Sequence, residues 1–194
     1  DHDAAVNVLG TVNVLEAARE NGTKVVFSST GGAIYGECDG PAPEDAPRRP
    51  ISPYGTAKLA AEEYLATYNR LYGSGHVSLR YGNVYGPRQD PHGEAGVVSI
   101  FFDTLREGET PKVFGDGLQT RDYVFVGDVM RATLAAAERE GGVYNVGTGR
   151  ETSVVELLEL CQRIAGTSLD PEMALPRAGE VQRSVLDPSR AVDE

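Results

Sequence analysis

The sequence is poor in the residues that most often bind metal ions or form disulfide bonds. Of its 194 residues only two are cysteines, Cys38 and Cys161, and neither lies in a CxxC spacing. Two cysteines cannot build a disulfide framework, so we expect buried or incidental thiols. The three histidines, His2, His76 and His92, are scattered without ligand spacing. We therefore predict no metal site.

The chain also has few positive charges and no long apolar run. Lysine and arginine number 18 against 29 aspartates and glutamates, which leaves a formal net charge of -11. Proteins that bind nucleic-acid backbones need clustered basic residues, so we predict no nucleic-acid partner, although a few local arginines could hold a diphosphate. No run is long enough to cross a bilayer, and residues 1–10 lack the basic start and apolar centre of a signal peptide. These features predict a cytoplasmic protein without a membrane partner.

What the sequence does contain is an alternation of helical and strand-like segments. Apolar residues recur at helical spacing over residues 3–20, an apolar strand follows at 24–27, and Ser52 and Pro53 suit the start of a helix that runs to about residue 72. Further strands are predicted in HVSLRYGNVYGP, PKVFGDG, TRDYVFVGDV and GGVYNVGTG, and further helices at about 96–107, in GDVMRATLAAAERE and after the capping-box pair Ser153 and Glu156. This alternation favours a parallel, doubly wound α/β sheet.

The first candidate site is the pair Tyr54 and Lys58 in the segment SPYGTAK. Residues four apart on a helix lie on one face, so the ammonium of Lys58 can lie near the phenol of Tyr54. A nearby positive charge favours the phenolate, which lowers the pKa of a tyrosine and suits it to act as a general base. Such a pair alone more often means a half-buried ring and a solvated charge, and both interpretations stay open at this point.

Three hydroxyls and two glycines follow the apolar run at residues 25–27. Ser28, Ser29 and Thr30 stand at the carboxyl end of the predicted strand, where ligands bind in open α/β sheets. A hydroxyl there could hydrogen-bond the same ligand oxygen that Tyr54 deprotonates. Strand-end hydroxyls also cap local turns, and the glycines could simply allow a tight bend, so this segment has two interpretations as well.

Six motifs occur in order along the chain, namely FSSTGGAIYG, SPYGTAK, LRYGNVYGPRQ, TRDYVFVGDV, YNVGTG and PRAGEVQRSVLD. Together they resemble the extended short-chain dehydrogenase/reductase family, and within it the nucleotide-sugar epimerases and dehydratases. The resemblance implies a Rossmann-like doubly wound parallel sheet with a small C-terminal α/β substrate-binding region. Residues 1–90 would then be the remainder of the dinucleotide-binding domain, with the Tyr-Lys helix. Residues 91–194 would mainly bind the nucleotide sugar, with some segments returning to the sheet.

The resemblance assigns roles to individual residues. Tyr54 and Lys58 match the catalytic tyrosine and lysine of the family, and the catalytic hydroxyl falls on Thr30, with Ser29 as the second choice. The positions that match the cofactor site are Asn7, Ser28, Ser29, Tyr54, Lys58, Tyr81 and Gly82. The positions that match the substrate site are Thr30, Asn83, Gly96, Val97, Phe114, Arg121, Arg177 and Glu180.

The implied reaction is a reversible oxidation that uses NAD as a bound cofactor. The tyrosine would take the proton of the sugar 4-hydroxyl, a 4-keto sugar would form, and C4 of a UDP-glucose or UDP-galactose type sugar would be inverted. Arg121 and Arg177 would hold the diphosphate and Glu180 the nucleoside ribose, with Phe114 against the base. The alternatives are another nucleotide-sugar epimerase, a 4,6-dehydratase or a catalytically silent binding fragment.

The resemblance further implies that this chain begins after the first strands of the family. The Gly-rich turn that cradles the dinucleotide pyrophosphate in relatives has no counterpart here. Roughly 60 to 90 residues, or two to three βαβ units, would precede residue 1, and we expect the C-terminal part of a longer protein. Relatives also imply a homodimer formed through the helices at 3–20 and 53–72.

Overall fold

A parallel three-stranded sheet forms the centre of the fold. The structure is a computed structural model and describes residues 2–92, 96–177 and 179–194. Strands β1 (Val26–Thr30), β2 (Val77–Tyr81) and β7 (Gly142–Val146) lie in the order β1-β2-β7 and pair in parallel. Because β7 comes from late in the chain, the second half of the sequence contributes a strand to this sheet. The predicted parallel α/β sheet is confirmed.

Helices cover both faces of the central sheet. Ser29 hydrogen-bonds a side chain of α3 (Pro53–Tyr72), whereas its neighbour Ser28 contacts Tyr81, whose hydroxyl reaches α5 (Val126–Ala137). Successive residues of a strand point to opposite faces, so α3 and α5 lie on opposite sides of the sheet. This is the doubly wound arrangement that the alternating pattern predicts.

The first helix packs on α3 and is not regular throughout. Its first part is π-helical (Ala4–Leu9) and continues as α1 (Gly10–Asn21), which ends at the left-handed Gly22 with φ 62°. Leu15 of α1 packs with Leu65 and Tyr68 of α3. The helix predicted at 3–20 is therefore confirmed, although the π-helical part was not predicted.

The strand β1 extends further along the chain than predicted. The sequence places a strand at 24–27, whereas the ladder with β2 runs from Val26 to Thr30, where Thr30 pairs with Tyr81. The three hydroxyl residues are therefore the last residues of the strand and not a loop beyond it. Serine and threonine are less apolar than valine, so they do not extend the apolar run from which the strand is predicted. The end of β1 is therefore defined only by its pairing with β2.

Short strands and two helices form a second region. The strand pairs are β3 (Asn83–Tyr85) with β6 (Tyr123–Phe125), β4 (Lys112–Phe114) with β9 (Glu172–Ala174), and β5 (Thr120–Arg121) with both β8 (Thr152–Ser153) and β10 (Arg183–Ser184). The sequence predicts short strands around a turn at 112–125. These strands are present, but each pairs with a segment distant in sequence and not with its neighbour.

The helices of this region pack through a separate apolar cluster. α4 (Val97–Arg106) and α6 (Val154–Ala165) meet through Phe101, Leu157 and Cys161. Burial raises the pKa of the Cys161 thiol to about 11, and both cysteines are free, as predicted. The capping box predicted at the start of α6 is also confirmed.

Two short helices, α2 (Gly31–Ile34) and α7 (Ser189–Asp193), complete the described elements and were not predicted. Within the described ranges, no group of three or more His, Cys, Asp or Glu side chains could hold a metal ion. No helix in this part of the chain has both the length and the apolar character of a membrane span.

Candidate active site

The N-terminus of α3 is fixed tightly against the segment after β1. The Ser52 hydroxyl accepts a hydrogen bond from the Gly55 amide at 3.1 Å, and Pro53 occupies the first turn, so the helix begins where the sequence predicts. A Cβ atom at Gly55 would lie 2.6 Å from the Ala33 carbonyl oxygen. Only glycine permits this close approach, which brings the first turn of α3, with Tyr54, beside the chain that leaves Thr30.

Lys58 lies one turn along α3 from Tyr54, as the four-residue spacing predicts. Its ammonium nitrogen Nζ is 5.9 Å from the centre of the Tyr54 ring and 4.9 Å from that of Phe27. Nζ also donates to the Ser28 carbonyl oxygen at 3.0 Å. Burial lowers the pKa of Lys58. The lysine therefore ties the helix to the end of β1 and holds a cation beside the tyrosine.

The three strand-end hydroxyls point in different directions. Ser28 is exposed, and its Oγ lies 3.4 Å from the Tyr81 hydroxyl. Ser29 is 4% exposed and donates to Oε1 of Glu62 at 2.5 Å, on the α3 face of the sheet. Strand alternation turns the Ser29 side chain into the core. The assignment of Ser29 to the cofactor site, and as the second choice for the catalytic hydroxyl, stays a prediction.

Thr30 stands at the junction between the strand end and the second region. Its backbone is extended, with φ -135°, and α2 starts directly after it. A Cβ atom placed at Gly32 would lie 4.0 Å from Thr30 Oγ1 and 3.3 Å from Oδ1 of Asn83. The bare backbone of Gly32 therefore leaves the Thr30 hydroxyl and the Asn83 amide facing the same space.

The remaining predicted cofactor residues lie on the first helix and at or just after the end of β2. Asn7 lies in the π-helical part of the first helix, an irregularity that is frequent at functional sites. Its Nδ2 lies 3.5 Å from Oδ1 of Asp3. Tyr81 ends β2 and places its hydroxyl between Ser28 and α5, and the Gly82 amide donates to Val146 at 2.9 Å.

A cleft of about 440 Å³ opens beside Asn83, between α4 and the short strands. Seven of the eight predicted substrate residues line it, all except Thr30, namely Asn83, Gly96, Val97, Phe114, Arg121, Arg177 and Glu180. These positions span almost 100 residues of sequence, from 83 to 180, and the fold brings them to one place. The cleft is therefore the candidate nucleotide-binding site.

Three charged residues of the cleft, Arg121, Arg177 and Glu180, are held by contacts with other residues that line it. Nη2 of Arg121 lies 3.2 Å from Oε1 of Glu180, and both side chains are largely buried, at 14% and 22% exposure. The guanidinium carbon of Arg177 lies 4.0 Å from the centre of the Phe114 ring, a cation–π contact. Lys112 and Glu109 also line the cleft, so three basic and two acidic side chains leave a net positive charge of one, which suits an anionic ligand.

The cleft is also lined by residues that the sequence did not assign to the site, among them Tyr123 and Gln119. The hydroxyl of Tyr123 is buried and has no hydrogen-bond partner among the described residues, and burial raises the pKa of Tyr123 to about 12. Nε2 of Gln119 donates to the Phe114 carbonyl oxygen at 3.0 Å and so fixes the backbone that carries the ring. Tyr123 stands two residues after Arg121, on the same face of the extended chain. This spacing could have predicted that Tyr123 lies in the cleft with Arg121.

Asp122 connects the segment after β7 to the start of β3, and the sequence did not assign it to the site. It is 1% exposed, and its carboxylate accepts from the Thr148 amide at 2.8 Å and hydroxyl at 2.7 Å, and from the Gly149 amide at 3.1 Å. Its carbonyl oxygen accepts from the Asn83 amide at 2.7 Å. Asp122 thereby anchors the turn after β7 to the start of β3.

Comparison with known proteins adds to this geometry. Residues 1–147 match the NAD dependent epimerase/dehydratase family. The chain is 51% identical over 193 residues to the UDP-glucose 4-epimerase of Mycolicibacterium smegmatis, a match that covers 97% of this chain and 62% of that protein. The chain thus spans less than two thirds of the length of this relative.

Solved structures show the same fold. The UDP-glucose 4-epimerase of Thermotoga maritima with UDP-glucose superposes with a TM-score of 0.96 at 48% identity, over 99% of this chain and 63% of that one. The UDP-glucose 4-epimerase of Thermus thermophilus in complex with NAD gives a TM-score of 0.92 at 49% identity, over 97% and 63%. With its Tyr-Lys helix, its strand-end threonine and a family match over three quarters of its length, the chain belongs to the NAD dependent epimerase/dehydratase family.

Proposed function

We propose that this chain carries the catalytic and nucleotide-sugar-binding parts of an NAD-dependent 4-epimerase for a sugar of the UDP-glucose or UDP-galactose type. The observation that carries the proposal is the cleft beside Asn83, which gathers seven residues assigned to the substrate from the sequence. It opens beside the space that Thr30 and Asn83 share. The relatives of known structure that bind UDP-glucose and NAD share the whole described fold.

The described residues fit the nicotinamide end of the cofactor. The Ser28 and Tyr81 hydroxyls lie on the α5 face of the sheet, and the half-buried cation of Lys58 reaches the Ser28 carbonyl from α3. These groups lie towards the carboxyl ends of β1 and β2, where cofactors bind in sheets of this type. Asn7 and Gly82 complete the proposed set. When bound, NAD supplies the acceptor and donor of the hydride.

The side chains near β1 have distinct proposed tasks. Tyr54, as phenolate, takes the proton from the sugar 4-hydroxyl and returns it in the reverse half of the cycle. Lys58 stabilises this phenolate by its charge and contacts the nicotinamide ribose. Thr30 hydrogen-bonds the same sugar oxygen and fixes its position relative to Tyr54.

The cleft has the chemistry needed for the nucleotide. Arg121 and Arg177 are proposed to hold the diphosphate, with Asn83 beside them, and the planar guanidinium suits this ligand. Glu180 accepts from the ribose, and Phe114 packs on the base. Gly96 and Val97, at the start of α4, line the wall with backbone groups.

One specific feature disfavours the dehydratase alternative. Elimination of water needs an additional acid and base, which dehydratases of this family often place directly after the strand-end hydroxyl. In this chain that place is occupied by Gly31 and Gly32, which have no side chain to donate or accept a proton. The division into residues 1–90, with the Tyr-Lys helix, and 91–194, mainly for the nucleotide sugar, remains part of the proposal.

A cytoplasmic homodimer is also proposed. Large apolar side chains stay exposed on the first helix and on α3, including Leu9 at 62% and Leu71 at 66%. The two helices pack side by side, so a second copy of the chain could cover both at once. This is the pair of helices, 3–20 and 53–72, that the resemblance assigns to dimerisation.

The test of the proposed function uses the protein at the length that its gene encodes. The purified protein is heat-denatured, and released nucleotide is identified by absorbance and mass, in parallel with conversion of UDP-glucose to UDP-galactose. Released NAD together with conversion is the expected result. Saturable UDP-glucose binding without NAD or conversion would instead favour a silent binding module, and conversion to a 4-keto-6-deoxy sugar would favour a dehydratase.

A further inference from the structure

A buried ion pair lies beneath the proposed reaction site. Arg80, on β2, is 2% exposed and Glu62, on α3, is 4% exposed. The guanidinium donates to both carboxylate oxygens, from Nη2 to Oε2 at 2.6 Å and from Nε at 3.0 and 3.1 Å. Burial works to lower the pKa of Arg80, but the hydrogen bonds and charge of Glu62 outweigh it and raise the pKa above its ordinary value. Arg80 therefore stays charged, and its hydrogen bonds to Glu62 hold α3 to β2.

Ser29 connects this pair to the strand that carries Thr30. Its hydroxyl donates to Oε1 of Glu62 at 2.5 Å, and the preceding Ser28 carbonyl accepts from Nζ of Lys58 at 3.0 Å. Lys58 and Glu62 are four residues apart, so they lie on one face of α3. Two consecutive residues of β1 are thus bound to two consecutive turns of the helix that carries Tyr54.

Together with the bonds from Arg80 to Glu62, these two bonds set the position of α3 along the strand. The Thr30 hydroxyl comes directly after Ser29, and Tyr54 comes one turn before Lys58. A sliding of α3 along β1 would change the distance between the two groups that share the sugar oxygen. Lys58 alone has a long flexible side chain and can follow such a movement, whereas the short Ser29 side chain cannot.

We propose that Ser29 is a positioning residue, whose hydroxyl fixes Glu62, and with it α3, so that Tyr54 and Thr30 meet on one oxygen. This inference rests on the proposed function, because it requires these two groups to act together. Glu62 also accepts three hydrogen bonds from Arg80 that do not involve Ser29, so we expect the ion pair to persist when the Ser29 hydroxyl is removed. The Ser29 hydroxyl therefore contributes more to the alignment of α3 than to the stability of the Arg80–Glu62 pair.

The test compares Ser29→Ala with a matched control, Ser78→Ala. Ser78 is 3% exposed and stands on β2 two residues before Arg80, so its side chain lies on the same face of the sheet. In the protein at its encoded length, Ser29→Ala is expected to lower kcat about tenfold, since small misplacements at a reacting centre are costly. The dissociation constant for UDP, measured by calorimetry, is expected to stay unchanged, because the cleft lies beyond Thr30. Ser29→Thr, which keeps the hydroxyl, is expected to restore kcat.

A second measurement does not depend on turnover. Amide hydrogen exchange of the segment 28–34 is expected to become faster in Ser29→Ala and to stay unchanged in Ser78→Ala. An unchanged kcat in Ser29→Ala would overturn the proposal, and so would an equal loss of kcat in Ser29→Ala and Ser78→Ala. Neither comparison requires Ser29→Thr to fold. If the wild type itself shows no conversion, the proposed function fails, and unchanged exchange in Ser29→Ala would then overturn the positional role separately.

Discussion

At the residue scale, the direction of each side chain at the end of β1 decides its role. Ser28, Ser29 and Thr30 have similar chemistry, but strand alternation sends the middle one into the core. Thr30 is left beside the space that Gly32 opens towards Asn83. The proposed reaction therefore depends on Thr30 and Tyr54, and each can be changed without disturbing the ion pair below.

Replacing Tyr54 by phenylalanine isolates the proposed proton transfer. Tyr54→Phe keeps the ring, so the packing at the start of α3 should persist. We expect UDP binding to survive while turnover drops by about 10²–10⁴-fold, the usual contribution of a general base. Conversion of UDP-glucose is measured with Tyr64→Phe as control, because Tyr64 lies on the same helix and is exposed to the same degree, 43% against 42%. Unchanged turnover in Tyr54→Phe would contradict the mechanism.

The buried His76 gives the stability a pH dependence that can be assigned. Its Nδ1 accepts from the Val25 amide at 3.1 Å, and burial, with a smaller effect of Lys24, lowers the pKa of His76. The unfolded chain binds a proton near the ordinary histidine pKa of about 6.5, whereas the folded chain binds it only at lower pH. The contribution of His76 to the free energy of unfolding is therefore complete above about pH 6.5. It is lost as the pH falls below that value, at up to about 1.4 kcal/mol per pH unit.

Urea unfolding between pH 7 and pH 5 checks this prediction. His76→Gln should lose stability at pH 7 but show a flatter dependence on pH than the wild type. His92→Gln is the control, since His92 is exposed and should leave the slope unchanged. A wild-type slope retained in His76→Gln would assign the titration to another group.

At the scale of elements, α3 is held to the sheet by polar contacts inside the core. Arg80 binds Glu62 and also donates to the Tyr35 hydroxyl at 2.7 Å, which in turn donates to Asn145 of β7 at 2.8 Å. This network joins α3, two strands and the residue that follows α2. A buried charge left without its partner is costly, so the network makes the position of α3 specific.

Two adjacent glutamates of α3 test this reasoning directly. Glu62 pairs with Arg80 at 2–3% side-chain exposure, whereas Glu63 pairs with Arg48 at 41–50% exposure. Glu62→Ala should lower the free energy of unfolding by about 3–5 kcal/mol, because it leaves the Arg80 charge buried and unpaired. Glu63→Ala should cost about 0–1 kcal/mol, as exposed pairs do. Similar losses in chemical denaturation of the two variants would refute the assignment.

At the scale of the whole molecule, two adjoining helices carry the exposed apolar side chains proposed to form a dimer. Leu9→Glu places a charge on the first helix, where a second copy would bury it. We expect this variant to shift the protein from dimer to monomer in sedimentation analysis. Ile164→Glu is the control, because Ile164 is 74% exposed on α6, away from the proposed interface. A dimer that persists in Leu9→Glu would place the interface elsewhere.

The sequence by itself predicted the features that depend on near neighbours along the chain. The cap at Ser52, the capping box at Ser153 and the approach of Lys58 to Tyr54 all involve residues within a turn of each other. Backbone geometry fixes such contacts locally. The resemblance in six motifs added the set of residues that the cleft brings together.

Only the tertiary structure decided which way the strand-end side chains face and what they meet. Three contacts join residues that are 18 to 39 positions apart. They are Ser29 with Glu62, Glu62 with Arg80, and Asp122 with Asn83. The π-helical turns and the pairing of the short strands also depend on packing. A local pattern carries no information on contacts between distant segments, because register and burial are set when the whole sheet and its helices assemble.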